Sequence, residues 1–266
     1  MVFQMPNSSD IDLIALQNCP SSEDRKWQFF HETDSTNAEI CRHISGHPSE
    51  ERFVVIADCQ TGGKGRSGRV WHSAPGTGIY LSMSIQPNFS PEQLPIVTLM
   101  AGLATAIAVN EFTPNPAKLK WPNDLLLNDK KIAGVLCEYH ASKFPTVIIG
   151  IGINVNHTQF PAEINDIATS LKLETGLETN RTTLIRQLLT QLDFQYSELK
   201  NNKVQALIDN WTLHSDLFGK SININKGDQS ITGKAIRLDP LGRLVILNKS
   251  GKEIALDSGE VRIRRK

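Results

Sequence analysis

Apolar positions along the chain repeat with a period of two in some stretches and of three to four in others, and their order predicts an α/β domain. "WQFFHETDSTNAEICRHI" reads as a short strand followed by a helix, with Thr36 and Glu39 forming a T-x-x-E capping box. "RFVVIAD" reads as a buried strand and "GIYLSMSI" as a second one of alternating character. "SPEQLPIVTLMAGLATAIAVNEF" opens with Ser90 as N-cap, Pro91 at the first helical position and Gln93 completing the box; it is apolar nearly all round, as a buried helix should be. "AKLKWPNDLLLNDKKIAGVLCEYH" predicts strand, turn, strand with "NDKK" as a hairpin connection, and "TVIIGIGINVN" a further core strand. Leu184, Leu188, Leu192 and Leu199 line one stripe of a helix, and "VQALIDNWTLH" makes another. From Leu217 onward, five short strands separated by "KGDQS", "DPLG", "NKSG" and "DSGE" predict a small β-barrel or SH3-like appendage. The expected organisation is a polar, loosely ordered lead-in (1–24), a main domain (25–216) and the C-terminal barrel (217–266).

Composition narrows the class. Twenty-eight Lys and Arg balance twenty-eight Asp and Glu over 266 residues, so no global field draws the chain to nucleic acid or an anionic membrane, and neither DNA nor membrane is expected as a partner. Cys19, Cys41, Cys59 and Cys137 are widely spaced and form no C-x-x-C pair, which argues for reduced thiols and against a zinc knuckle or disulfide framework. The N-terminus lacks the basic and apolar regions of a secretory leader, and the apolar run over 94–109 falls short of the ~20 residues of a membrane span. A cytoplasmic location is expected.

Against this ordinary background "TGGKGRSGRVW" is unusual, interleaving Gly62, Gly63, Gly65 and Gly68 with Lys64, Arg66 and Arg69. Gly63, Gly65 and Gly68 match G-x-G-x-x-G, but the segment that follows reads as turn and strand, whereas a Rossmann fingerprint opens a helix, and the position about 20 residues on, near Asn88, is not acidic. The P-loop pattern fails as well, because Arg69-Val70 stands where Lys and Ser or Thr belong. What survives is a loop with accessible N–H groups and three cations suited to phosphate. Trp71 beside it serves either as a stacking surface for a base or as a core residue.

In "KWPNDLLLNDKKIAG", Pro122 directs a turn from which Asn123 and Asp124 project, and Lys131 heads a buried strand, where an ammonium either reaches solvent or meets an anion. "DSTN" over 34–37 is accounted for by helix capping alone.

Taken in order, "ETDSTN", "QTGGKGRSGRVW", "LKWPNDLLLNDKKIAGVLCE" and "IGIGINVN" resemble the signature of the biotin protein ligases, and the resemblance extends over residues 27–266. It implies an α/β catalytic domain of the class II synthetase-like type, a mixed β-sheet with helices mainly on one face, followed by a C-terminal SH3-like β-barrel, in the monofunctional class without a DNA-binding domain. It implies that biotin and Mg2+-bound ATP give biotinyl-5'-AMP, from which biotin passes to a lysine of a biotin carboxyl carrier protein or domain of acetyl-CoA carboxylase. By the same resemblance, Ser35, Thr36, Asn37 and Gln60 line the biotin pocket, with Lys64, Gly65 and Arg66 in its ligand-binding loop. Lys131 contacts both biotin's carboxylate and the α-phosphate; Arg66, Arg69, Trp71 and Asn154 serve the nucleotide; Asp124 assists the incoming lysine. The chain has Lys64 where the family usually carries arginine, which keeps the charge and loses the bidentate fork. The family's loop over adenine corresponds to residues 156–171, where Phe160 is the aromatic. Family members commonly pair as homodimers through the sheet. The nearest alternative is a lipoate or octanoate ligase or transferase of the same architecture.

Overall fold

The structure, a computed structural model, describes residues 10–18, 25–87, 90–226 and 229–263. Its centre is a seven-stranded mixed sheet built from β1 (Lys26–Thr33), β2 (Phe53–Gln60), β3 (Gly78–Ile85), β4 (Lys118–Lys120), β5 (Asp124–Leu127), β6 (Lys130–His140) and β7 (Thr146–Asn154), in the order β1-β2-β3-β7-β6-β5-β4. β1 and β2 are parallel, joined across one face by α2 (Thr36–Gly46), the helix that follows α1 (Leu13–Gln17), and every other pairing is antiparallel. The β5–β6 connection is the two-residue hairpin expected from "NDKK": Asn128 and Asp129 both take positive φ (49° and 65°), which the twist of a tight hairpin demands.

The two faces of the sheet are covered differently. A short helix, α4 (Leu171–Thr175), follows β7, and α3 (Leu94–Asn110), α5 (Arg181–Lys200) and α6 (Val204–Leu213) lie on one face, where Val54, Ile56, Leu81, Val135, Ile149, Ile151 and Ile153 join the main apolar core. On the other face α2 packs Ile40 and Ile44 against Phe53, Val55 and Ile148, the alternate positions of the same strands. This is the expected mixed sheet with helices mainly on one face. The Pro91–Asn110 segment is long and apolar enough to cross a bilayer, and its burial in the core accounts for that composition. The Ser90 backbone N–H donates to Gln93 Oε1 at 3.0 Å, as the start of this segment predicts.

Several local expectations need correction. The capping box of Thr36 and Glu39 does not form: Ser35 is the residue before α2, the Thr36 hydroxyl turns to Gln60, and Glu39 accepts from Thr33 Oγ1 at 2.6 Å. β3 is buried at every position instead of alternating, because both of its faces are covered. The expected lead-in contributes a short helix, α1 (Leu13–Gln17), and Ile11 and Leu16 enter the main core; its residues 1–9 and 19–24 lie outside the described ones. Asp10 in this segment and Asp58 at the end of β2 both accept from the buried guanidinium of Arg181, at 2.6 and 2.7 Å, which ties the segment to the sheet.

The C-terminal region forms β8 (Ser221–Lys226), β9 (Gln229–Leu238), β10 (Leu244–Leu247), β11 (Glu253–Leu256) and β12 (Glu260–Ile263), the five strands expected. They make an antiparallel sheet in the order β11-β10-β9-β8-β12, with no β11–β12 pairing among the described residues to close it into a barrel. The sheet is docked firmly: Trp121 Nε1 donates to the Gly242 carbonyl at 3.2 Å, and Gly242 (φ 79°) passes so near α3 that a Cβ there would lie 2.9 Å from Ile96 N.

Candidate active site

The α2 face of the sheet carries a groove whose floor is made by missing side chains. In register, Ser82, Gly150 and Leu136 form one row across β3, β7 and β6, and Tyr80, Gly152 and Gly134 form the next. A Cβ on Gly150 would lie 2.3 Å from Asn37 Oδ1, and one on Gly152 would lie 2.4 Å from the Trp71 indole. Gly134 sits beneath both Trp71 and the Lys131 ammonium, at 3.0 and 3.2 Å from its would-be Cβ. These glycines let polar groups lie directly on the sheet. "GIGIN" signalled this with two glycines at strand period among isoleucines, yet only a core strand is legible there without the register.

One wall is a hydrogen-bonded network at the N-terminus of α2. The parallel pairing of β1 with β2 sets Thr33 opposite Gln60, so the turn from β1 into α2 arrives beside the end of β2. There Gln60 Oε1 accepts from Thr36 N (2.8 Å) and from Thr36 Oγ1 (3.1 Å), and Gln60 Nε2 donates to Ser73 Oγ (2.9 Å). Buried Ser82 lies 2.7 Å from Thr36 Oγ1 and donates to Asn37 Oδ1 at 2.6 Å, while Asn37 Nδ2 donates to Glu138 Oε2 at 2.6 Å. Ser35 is buried beside them. The four residues expected to line a pocket are thus brought together; Ser73, Ser82 and Glu138 escaped the sequence, because only strand register puts them here.

The glycine-rich segment over 62–71 is a short hairpin. Gly65 N donates to the Arg69 carbonyl (2.7 Å) and Trp71 N to the Gly63 carbonyl (2.9 Å), around a turn in which Ser67 and Gly68 have positive φ. Gly63 is dictated by space, since a Cβ would fall 2.6 Å from the Trp71 carbonyl oxygen. The three cations diverge. Lys64 and Arg69 are exposed, the latter turning back to the Arg66 carbonyl at 3.4 Å. Arg66 is half-buried and points to Asn123 Oδ1 at 3.4 Å; burial weakens its hold on its proton, and Asp124 opposes that. As a guanidinium it remains charged.

Lys131 reaches the centre of the groove. Its Nζ donates to Asp124 Oδ1 at 2.5 Å and lies 5.3 Å from the Trp71 ring centroid. The buried-strand lysine therefore meets an anion, one of the two outcomes open from the sequence. Trp71 lies on the glycine floor with its Nε1 buried and without a hydrogen-bond partner among the described residues. Asn154 spends its amide on the Thr169 and Lys131 carbonyls (3.0 and 3.4 Å), pinning the 156–171 segment against β6. Within that segment Phe160 stacks on His157 (5.1 Å between centroids). Burial, with His72 and Arg181 adding to it, drives the His157 pKa down to about 4.

A glycine floor, a polar wall able to grip a small head group, and lysine and arginine at the far end suit a ligand with a polar head and an anionic tail. Residues 29–156 match the biotin/lipoate A/B protein ligase family, and residues 217–264 match the biotin protein ligase C terminal domain. The chain is 33% identical over 236 residues to the biotin--[acetyl-CoA-carboxylase] ligase of Mycobacterium tuberculosis, covering 86% of each chain. It is 32% identical over 226 residues to the bifunctional ligase/repressor BirA of Bacillus subtilis, covering 84% of this chain and 70% of that one. Among solved structures, the biotin protein ligase from Aquifex aeolicus in complex with biotin and ATP superposes with a TM-score of 0.75 at 32% identity, over 91% of this chain and 99% of that one.

Proposed function

The chain belongs to the biotin protein ligases of the biotin/lipoate A/B protein ligase family, and from that premise we propose that the groove joins biotin to ATP and then hands biotin to a protein lysine. The observation that carries this is the position of Lys131, an ammonium already paired with Asp124 where the glycine floor meets the cationic hairpin. Biotin's carboxylate oxygen attacks the α-phosphorus of ATP, the bond to pyrophosphate breaks, and biotinyl-5'-AMP remains. Both reactants are anions. A cation between them lowers the cost of bringing them together and stabilises the charge that builds on the phosphoryl oxygens.

Lys131 takes that place, exchanging Asp124 for the two substrate anions. Asp124, released, accepts a proton from the incoming lysine as its amine attacks the mixed anhydride and AMP departs. Thr36 and Gln60 meet the ureido head, with Ser35 and Asn37 completing the wall; Lys64, Gly65 and Arg66 close over the ligand, and Arg66, Arg69, Trp71 and Asn154 face the nucleotide. Arg66, half-buried and fixed near Asn123, is better placed than exposed Lys64 to grip phosphate. Mg2+ enters with ATP as part of the substrate, held chiefly by phosphate oxygens as is usual for this ion.

The acceptor is the biotin carrier domain of acetyl-CoA carboxylase. Catalytic and barrel-like domains divide near residue 216, two copies pair through the sheet, and the enzyme works in the cytoplasm without a DNA or membrane partner, in keeping with its balanced charge. Incubating the chain with biotin, Mg–ATP and a carrier domain and measuring intact mass tests the proposal. A carrier that gains one biotin supports it; a carrier that gains lipoate under matched conditions and no biotin overturns it.

A further inference from the structure

The carboxylate of Glu138, on β6 and carrying no expectation from the sequence, is among the described residues the sole acceptor at close hydrogen-bond distance from Asn37 Nδ2 (2.6 Å); the Leu136 carbonyl lies at 3.4 Å. A carboxylate accepts only, so it fixes which end of the Asn37 amide faces it. Oδ1 must then face Ser82, and the buried Ser82 hydroxyl, having one proton, gives it to Asn37 at 2.6 Å. Ser82 therefore has no proton for Thr36, whose Oγ1 stands 2.7 Å away. The Thr36 hydroxyl proton goes to Ser82 Oγ or to Gln60 Oε1 (3.1 Å), and either choice leaves only lone pairs for a ligand. Gln60 is fixed in turn by the Thr36 backbone N–H, an obligate donor, so it also presents an acceptor on this side.

We infer that Glu138 is a positioning residue that sets the donor and acceptor polarity of the head-group pocket, through Asn37 and Ser82, so that Thr36 accepts hydrogen bonds from the ligand. The pocket so polarised takes a ring bearing N–H donors, such as a cyclic urea, and gains nothing from a dithiolane or an alkyl chain, which have none. This rests on the ligase function proposed above and adds the source of its ligand selectivity. Asn37, with its amide committed on both ends, orders the wall instead of contacting the ligand.

Glu138 is exposed and touches the fold lightly, so its variants should fold, and the KM for ATP provides the control. Calorimetry with biotin on the full-length chain should show Glu138→Ala binding roughly tenfold more weakly, the scale of one charge-assisted hydrogen bond. The KM for ATP and the adenylation kcat should be unchanged, and Glu138→Gln, which can still accept, should restore most of the affinity. Glu138→Lys separates polarity from charge. A local charge effect would tighten binding of the biotin carboxylate, whereas an ammonium offers only donors, turns the Asn37 amide round and should weaken binding beyond Glu138→Ala. In a Ser82→Ala background Glu138→Ala should have no further effect, because the relay is already cut. Equal biotin affinity in the unaltered chain and Glu138→Ala, additive losses with Ser82→Ala, or tighter binding by Glu138→Lys each overturns the assignment. Failure of the unaltered chain to bind biotin at all overturns the ligase function and this assignment with it.

Discussion

The two faces of β7 are built from opposite kinds of residue. Ile149, Ile151 and Ile153 point into the core beneath α3 and α5, while Ile148, Gly150, Gly152 and Asn154 point the other way, into the α2 cluster and the groove. One period-two set is large, dry and branched; the other is mostly small or polar. The contrast shows how a binding site is kept rigid: its floor is the reverse side of strands whose stability is secured on the opposite face, so the groove can give up side chains without giving up order.

The comparison can be broken from either side. The largest effect should come from the groove: Lys131→Ala removes the cation between two anions and should slow biotin-dependent pyrophosphate release about a thousandfold, with the thermal unfolding midpoint unchanged. A near-normal rate would mean that the charge stabilisation lies elsewhere. The reverse pattern belongs to Ile151→Ala on the core face, which should lower unfolding stability in urea by about 3 kcal/mol and leave biotin affinity nearly intact.

Acid should reveal the groove side next. The folded His157 holds its proton only below about 4, whereas an unfolded histidine binds one below about 6.5. The unfolded chain therefore takes up the proton first as pH falls, so stability present above pH 6.5 is lost progressively towards pH 4. Between pH 6.5 and 5 the loss is about 2 kcal/mol, and replacing the ring by His157→Phe should flatten that part of the stability profile. An unaltered slope would show that other groups govern it. Smallest is Gly152→Ala, whose methyl group meets the Trp71 indole at 2.4 Å. The indole must shift, and because it faces the nucleotide the KM for ATP should rise about tenfold; an unchanged KM would remove the indole from the nucleotide site.

Much of the scaffold was legible because it depends on local pattern. The "NDKK" hairpin, the all-round apolar helix, the leucine stripe of α5 and the five C-terminal strands each follow from spacing within a dozen residues. Local spacing misled where a second partner competed. Thr36 and Glu39 sit at capping-box spacing, yet Gln60 and Thr33, brought in by the parallel pair, hold them more closely. "GIYLSMSI" has an alternating character, but a central strand is covered on both faces whatever its polar content, and Ser82 and Ser84 are buried.

The sequence by itself determined the order of elements, the cationic glycine-rich loop and, through four motifs, the candidate set Ser35, Thr36, Asn37, Gln60, Lys64, Arg66, Asp124, Lys131 and Asn154. Only the tertiary structure decided which of them meet: that Lys131 is held by Asp124, that Trp71 rests on Gly134 and Gly152, that Arg66 turns inward while Lys64 and Arg69 face solvent, and that Ser73, Ser82 and Glu138 complete the wall. The reason is the register of β3, β7 and β6. A shift of one residue would exchange the isoleucine face for the glycine face, and that pairing is fixed by burial of the whole sheet, which no single stretch of chain encodes.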